Sequence, residues 1–137
     1  MILTTLTAIG IAATVSLHTS AAAADASRWA PLIDVVFDNY DLEPAVLTLI
    51  NDNNVPVSNV IQKARDEGFA DMRIVDALIE TKLSCEQVMI KALRNGVPPS
   101  ALFDSAKIRD DYGYTPEKIL RFLVGELRFM ERAEQKS

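Results

Sequence analysis

Val55-Pro56-Val57-Ser58-Asn59-Val60-Ile61-Gln62-Lys63-Ala64-Arg65-Asp66-Glu67-Gly68 is followed by Phe69-Ala70-Asp71-Met72-Arg73-Ile74-Val75-Asp76-Ala77-Leu78-Ile79-Glu80-Thr81-Lys82. Leu83-Ser84-Cys85-Glu86-Gln87-Val88-Met89-Ile90-Lys91-Ala92-Leu93-Arg94-Asn95-Gly96 comes next, and the three lines share one 14-residue pattern. Apolar pairs recur at Val60/Ile61, Ile74/Val75 and Val88/Met89. Four positions past the first of each pair stand Ala64, Leu78 and Ala92, and each line opens on an apolar residue, Val55, Phe69 or Leu83. Apolar residues at i, i+1, i+4 and i+5, as in Ile74, Val75, Leu78 and Ile79, make the stripe of a short amphipathic helix. A fixed period of such helices points to stacked units, because none of them can bury its stripe alone.

The boundaries carry their own signals. Gly68 and Gly96 stand where a helix ends in a left-handed residue, and Lys82 holds the same slot between them. Ser84 and Gln87 have the spacing of a capping box. Pro98-Pro99 and Thr115-Pro116-Glu117 read as helix starts, since a first-turn proline loses no hydrogen bond.

Working outward, the pattern extends towards the N-terminus through Val46/Leu47 with Ile50, then through Leu32/Ile33 with Val36. Asn51-Asp52-Asn53-Asn54 lacks the alternating ligands, central glycine and closing glutamate of an EF-hand. It reads instead as a helix end, because asparagine tolerates the left-handed conformation. Towards the C-terminus the phase holds through Leu102/Phe103 and Ala106, then breaks within Lys107 to Tyr114. A longer helix from about Pro116 to Ala133 follows. Ile119, Leu120, Leu123, Leu127 and Met130 lie along one face of it, and with its charged end the helix reads as a terminal cap with a polar outer face.

The fold expected is all-α: a stack of short helices from a 14-residue helix–turn repeat, closed by a longer C-terminal capping helix. It is either α-solenoid-like or a compact right-handed helical array, with a closed bundle as the architectural rival.

Met1 to Ala24 carries no charged side chain and ends in His18-Thr19-Ser20-Ala21-Ala22-Ala23-Ala24. An apolar run followed by small residues is the pattern of a secretory signal peptide, with the cut expected after Ala24. Residues 25–137 then form one domain, periplasmic or secreted, with no stable membrane anchor. The n-region has no lysine or arginine, and an uncleaved anchor is the competing reading.

The chain has 137 residues and a formal net charge of −5. Such a balance argues against nucleic acid and anionic lipid as partners. The only histidine is His18, so beyond Ala24 no Ser-His-Asp or Cys-His nucleophile can form, and no His/Cys zinc site. No cofactor or metal is implied.

Two sets of residues are candidates for chemistry or binding. Cys85 is the only cysteine; placed at a helix start, it invites a redox or intermolecular disulfide role, against the plainer reading of a small packing residue. Asp110, Asp111, Tyr112 and Tyr114 mix acid and aromatic groups at the break in phase, where repeat proteins place binding loops. The plainer reading there is a turn that brings the last helix onto the stack. The expected function is a non-enzymatic protein- or peptide-binding module of the bacterial cell envelope, with a basic partner favoured by net charge. A small cell-wall enzyme with paired carboxylates and a self-assembling structural subunit are the alternatives. Terminal helices with exposed apolar faces would favour the subunit.

Overall fold

The computed structural model describes residues 28–136. The segment expected to be cleaved at Ala24 lies outside the described residues. The described chain is helical, with no strand among those residues. Helix α1 covers 28–39, and α2 spans Leu42–Leu47 and runs on as a π-helical turn, Thr48–Asp52. There follow α3 (Val57–Asp66), α4 (Asp71–Ile79), α5 (Cys85–Arg94), α6 (Pro99–Phe103), α7 (Ala106–Asp110) and α8 (Pro116–Lys136). The first helical residues of α3, α4, α5 and α6 are Val57, Asp71, Cys85 and Pro99, spaced 14 apart.

Local chemistry explains these limits. Gly68 and Gly96 both take φ of 87°, a region that costs a side chain a clash with its own carbonyl. Each turns the chain so that the next residue reaches back. The Phe69 N–H donates to the Ala64 carbonyl at 3.2 Å, and the Val97 N–H to the Ala92 carbonyl at 3.0 Å. These bonds satisfy carbonyls left over at the helix end. Asn54 does the same job with φ of 52°, and its neighbour Val55 donates to the Leu49 carbonyl at 2.9 Å.

Lys82 differs, because Asn54 is the only described non-glycine residue with positive φ. Side chains close α4 instead. The Thr81 hydroxyl donates to the Leu78 carbonyl at 2.6 Å and accepts from the Leu83 N–H at 3.3 Å. Asn51 Oδ1 accepts from the Lys82 N–H at 2.9 Å. The expected capping box is formed: Ser84 Oγ accepts from the Gln87 N–H, and Gln87 Oε1 accepts from the Ser84 N–H.

Helix α4 lies at the centre and packs on α2, α3, α5, α6 and α7. Helix α3 also packs on α5, and α6 on α8. Ile74, Val75 and Leu78 of α4 are fully buried, as are Val60, Ile61 and Ala64 of α3 and Val88, Met89 and Ala92 of α5. The apolar pairs of the sequence pattern therefore form the core.

Two expectations need correction. The break in phase is not a loop of extra length. Helix α6 stops at Phe103, and Ser105 starts a separate helix, α7. Ser105 is buried; its hydroxyl donates to Asp76 Oδ1 at 2.7 Å and accepts from the Ile108 N–H at 3.3 Å. A serine that bonds across to α4 ends one helix and caps the next. The second correction concerns α8. Ile119 and Leu123 are buried, with Phe122 and Met130 against the same core, but Leu120 and Leu127 are exposed. The outer face of α8 is therefore not a polar cap along this stretch. It packs on α6 along one side only, and its apolar arc is wider than that contact.

Candidate interaction surface

The residues at the break in phase do not converge on one another. Asp110 ends α7 and Asp111 follows it, both exposed. Tyr112 is half-exposed, and its hydroxyl donates to the Ile79 carbonyl at 3.3 Å, at the end of α4. Tyr114 is 9% exposed and donates to the Glu86 carboxylate at the start of α5, with Lys118 Nζ 4.6 Å above its ring. That bond holds the Glu86 carboxyl below its ordinary pKa and, with burial, pushes the Tyr114 hydroxyl up to about 12. Both tyrosines thus tie the α7–α8 connection down onto α4 and α5.

Cys85 opens α5, where the helix dipole favours thiolate. Burial wins: the residue is 1% exposed, and burial, with the nearby Glu86 charge, pushes the thiol up to about 11. The sulfur lies among core side chains rather than at the surface. Alkylation of Cys85 at pH 8 is expected to be at least about a hundredfold slower than for a free thiol, because an opening that costs about 3 kcal/mol exposes it only about one part in a hundred. Mass spectrometry of iodoacetamide-treated protein, with and without urea, measures this. Fast labelling of the native chain would place the thiol at the surface.

The feature that sequence reasoning missed is the outer side of α8, a helix of 21 residues. Leu120 (55% exposed), Val124 (38%) and Leu127 (44%) follow one another at helical spacing along it. Leu120 and Val124 line a shallow trough of about 520 Å³ together with Glu117, Arg121, Gly125 and Arg128. Arg121 and Arg128 form no ion pair among the described residues, and neither do Lys82, Lys91, Arg94, Arg109 and Lys118. Gly125 stands in mid-helix, and a Cβ there would meet no atom within 4 Å. Nothing inside the described chain therefore requires glycine at that position. A mid-helix glycine costs about 1 kcal/mol relative to alanine.

Elsewhere, a cavity of about 270 Å³ beside α1 and α3 is lined by Ala30, Ile33, Asp34, Asn59, Gln62, Lys63 and Asp66. Its Asp34 is held by Lys63 at 3.0 Å. Among the described residues no group of three or more acidic, thiol or imidazole side chains is placed to hold a metal ion. No helix among them is long and apolar enough to cross a membrane. The chain matches no protein-family model, and no curated protein or solved structure is similar enough to it to count as a match.

Proposed function

We propose that this chain is an exported, non-enzymatic protein-binding module built as a stack of short repeated helices, and that it binds through the outer side of α8. The exposed stripe Leu120, Val124 and Leu127 carries this reading, and because it is an apolar face on a terminal helix it also favours the self-assembling subunit as the second reading. Single exposed apolar residues are ordinary, but three in line beside a trough are what an interaction surface offers. The 14-residue spacing of helix starts supports the repeat, as does the packing of α2 on α4, α4 on α6 and α6 on α8. In that succession α8 follows α6. The leader read at Met1 to Ala24 supports export.

A carboxylate-based enzyme finds less support. The carboxyls whose pKa is moved, Asp41, Glu43 and Glu86, are all moved down, away from what a general acid needs.

The test is site-specific crosslinking. A photoreactive residue at position 124 is expected to trap a discrete adduct of higher mass than the chain alone. The double variant Leu120→Ser/Leu127→Ser should lose the adduct and keep its melting temperature, since exposed positions shift stability by about 0.5 kcal/mol or less. An adduct formed equally well by the double variant, or formed only from position 112, would move the surface away from α8.

A further inference from the structure

We infer that Asn95, the residue that caps the end of α5, is a covalent modification site, independently of any partner on α8. Its side-chain amide is lost by spontaneous deamidation through the Gly96 nitrogen, and the ties of this helix end to α3 set the rate. The sequence supplies the first observation. Of the asparagines in the chain, Asn95 alone is followed by glycine; the others precede tyrosine, aspartate, asparagine or valine. A backbone nitrogen reaches the side chain of the asparagine before it most readily when its own residue has no Cβ to crowd the approach.

The chemistry needs only water. The Gly96 nitrogen gives up its proton to solvent and attacks Asn95 Cγ. A Cγ–N bond forms, the Cγ–Nδ2 bond breaks, and ammonia leaves with a proton taken from solvent. Water then opens the five-membered imide at one of its two carbonyls. Opening at Cγ yields aspartate. Opening at the backbone carbonyl carbon yields isoaspartate, in which the main chain runs through Cβ and Cγ. In both products an uncharged amide has become a carboxylate, and nothing has been oxidised or reduced.

The native geometry holds this reaction off. Asn95 has a ψ of 17°, so the Gly96 nitrogen nearly eclipses the backbone nitrogen of Asn95. Ring closure requires it to eclipse Cβ, which lies on a different arm of the tetrahedral Cα. Each atom that would have to move is tied. The attacking Gly96 N–H donates to the Leu93 carbonyl at 3.1 Å. The leaving Nδ2 donates to the Lys91 carbonyl at 2.7 Å and to Ser58 Oγ at 3.2 Å. The Asn95 carbonyl accepts from Arg65 Nη1 at 2.9 Å and from Gln62 Nε2 at 3.3 Å. Ser58, Gln62 and Arg65 all stand on α3, so the end of α5 must come off α3 before the peptide plane can turn. Conversion then proceeds from the opened fraction alone, as amide hydrogen exchange does.

The product does not fit the place in which it forms. A carboxylate cannot donate to the Lys91 carbonyl, and it stands at the negative end of the α5 dipole. Isoaspartate also lengthens the main chain by one carbon, which displaces the carbonyl that Arg65 and Gln62 hold. Each conversion thus loosens α5 from α3, and the amide is not restored.

The experiment incubates the full chain in mildly alkaline buffer, folded and in urea, and maps the amide-to-acid mass gain by peptide mass spectrometry. In urea Asn95 is expected to convert ahead of every other asparagine. In the folded chain it should convert at least about tenfold more slowly, a factor set by the open fraction. Arg65→Met should quicken conversion in the folded chain by about fivefold and leave the rate in urea unchanged. Arg73→Met is the control. Arg73 pairs with Asp41 and Glu43 and does not touch the end of α5, so the rate should stay within about twofold of the unchanged chain. The acidic product, separated by anion exchange, should unfold at a lower urea concentration than the starting chain.

Conversion first at another asparagine in urea, or at none, overturns the site. Equal rates in the folded and unfolded chain overturn the control by α3. Equal acceleration by the two arginine variants does the same, because global unfolding rather than the end of α5 would then set the rate. A product as stable as the starting chain overturns the loosening.

Discussion

Leu78→Ala is expected to destabilise the fold by about 3–4 kcal/mol, in the upper part of the range for buried leucines. Leu78 is fully buried in α4, the helix on which α2, α3, α5, α6 and α7 all pack. A helix held on so many sides cannot shift to fill the space that its own side chain vacates, so the cavity term adds to the lost transfer energy. The slots that match it in α3 and α5 hold Ala64 and Ala92, both fully buried, and these offer no larger side chain to move in. Against a total stability of about 5–15 kcal/mol, the loss is a large fraction. Urea unfolding should show a lower midpoint with an unchanged slope. Met72→Ala is the control: Met72 lies on the same helix and is exposed, so a change of about 0.5 kcal/mol or less is expected. Similar losses at the two sites would mean that α4 is not the centre of the core.

The central helices were legible because each signal for them is local. Val60/Ile61, Ile74/Val75 and Val88/Met89 recur at one spacing, and the residues that stop each helix stand within a few positions of it. Gly68, Gly96 and the Ser84–Gln87 box act on their own backbone, so the sequence is enough to place them. Ser105 was not legible, because its hydroxyl bonds Asp76, which lies 29 residues earlier in the chain. Without that partner a serine in a helical pattern says little. The tie that Tyr114, a binding-loop candidate, makes to α5 is illegible for the same reason: its hydroxyl partner, Glu86, is 28 residues away.

The face of α8 failed differently. Periodicity tells which residues share a side of a helix; it does not tell how much of that side a neighbour covers. Ile119 and Leu120 are adjacent and equally apolar, and the first is buried while the second is exposed.

Gly96→Ala is expected to cost about 2–3 kcal/mol, and Gly68→Ala about 1–2 kcal/mol, although both glycines have the same φ of 87°. The shared part is strain, because an L-residue held there meets its own carbonyl. The difference is Arg65. A Cβ at position 68 would meet nothing within 4 Å, whereas one at 96 would stand 2.6 Å from Arg65 Nη1. That nitrogen donates to the Asn95 carbonyl at 2.9 Å, and Nε of the same guanidinium donates to Asp71 Oδ1 at 3.0 Å. One side chain thus joins the end of α3, the start of α4 and the end of α5. Arg65 is long enough to swing away from a new methyl group, so no hard clash remains, but it must release the Asn95 carbonyl to do so. The lost bond to a charged donor adds about 1 kcal/mol, less than for a buried pair because Arg65 is partly solvated. A double-mutant cycle separates the two contributions. With Arg65→Met already in place, Gly96→Ala should cost no more than Gly68→Ala, since only strain is left to pay. If the excess at position 96 persists without Arg65, the guanidinium is not what distinguishes the two turns, and the tie between α3, α4 and α5 is weaker than its geometry implies.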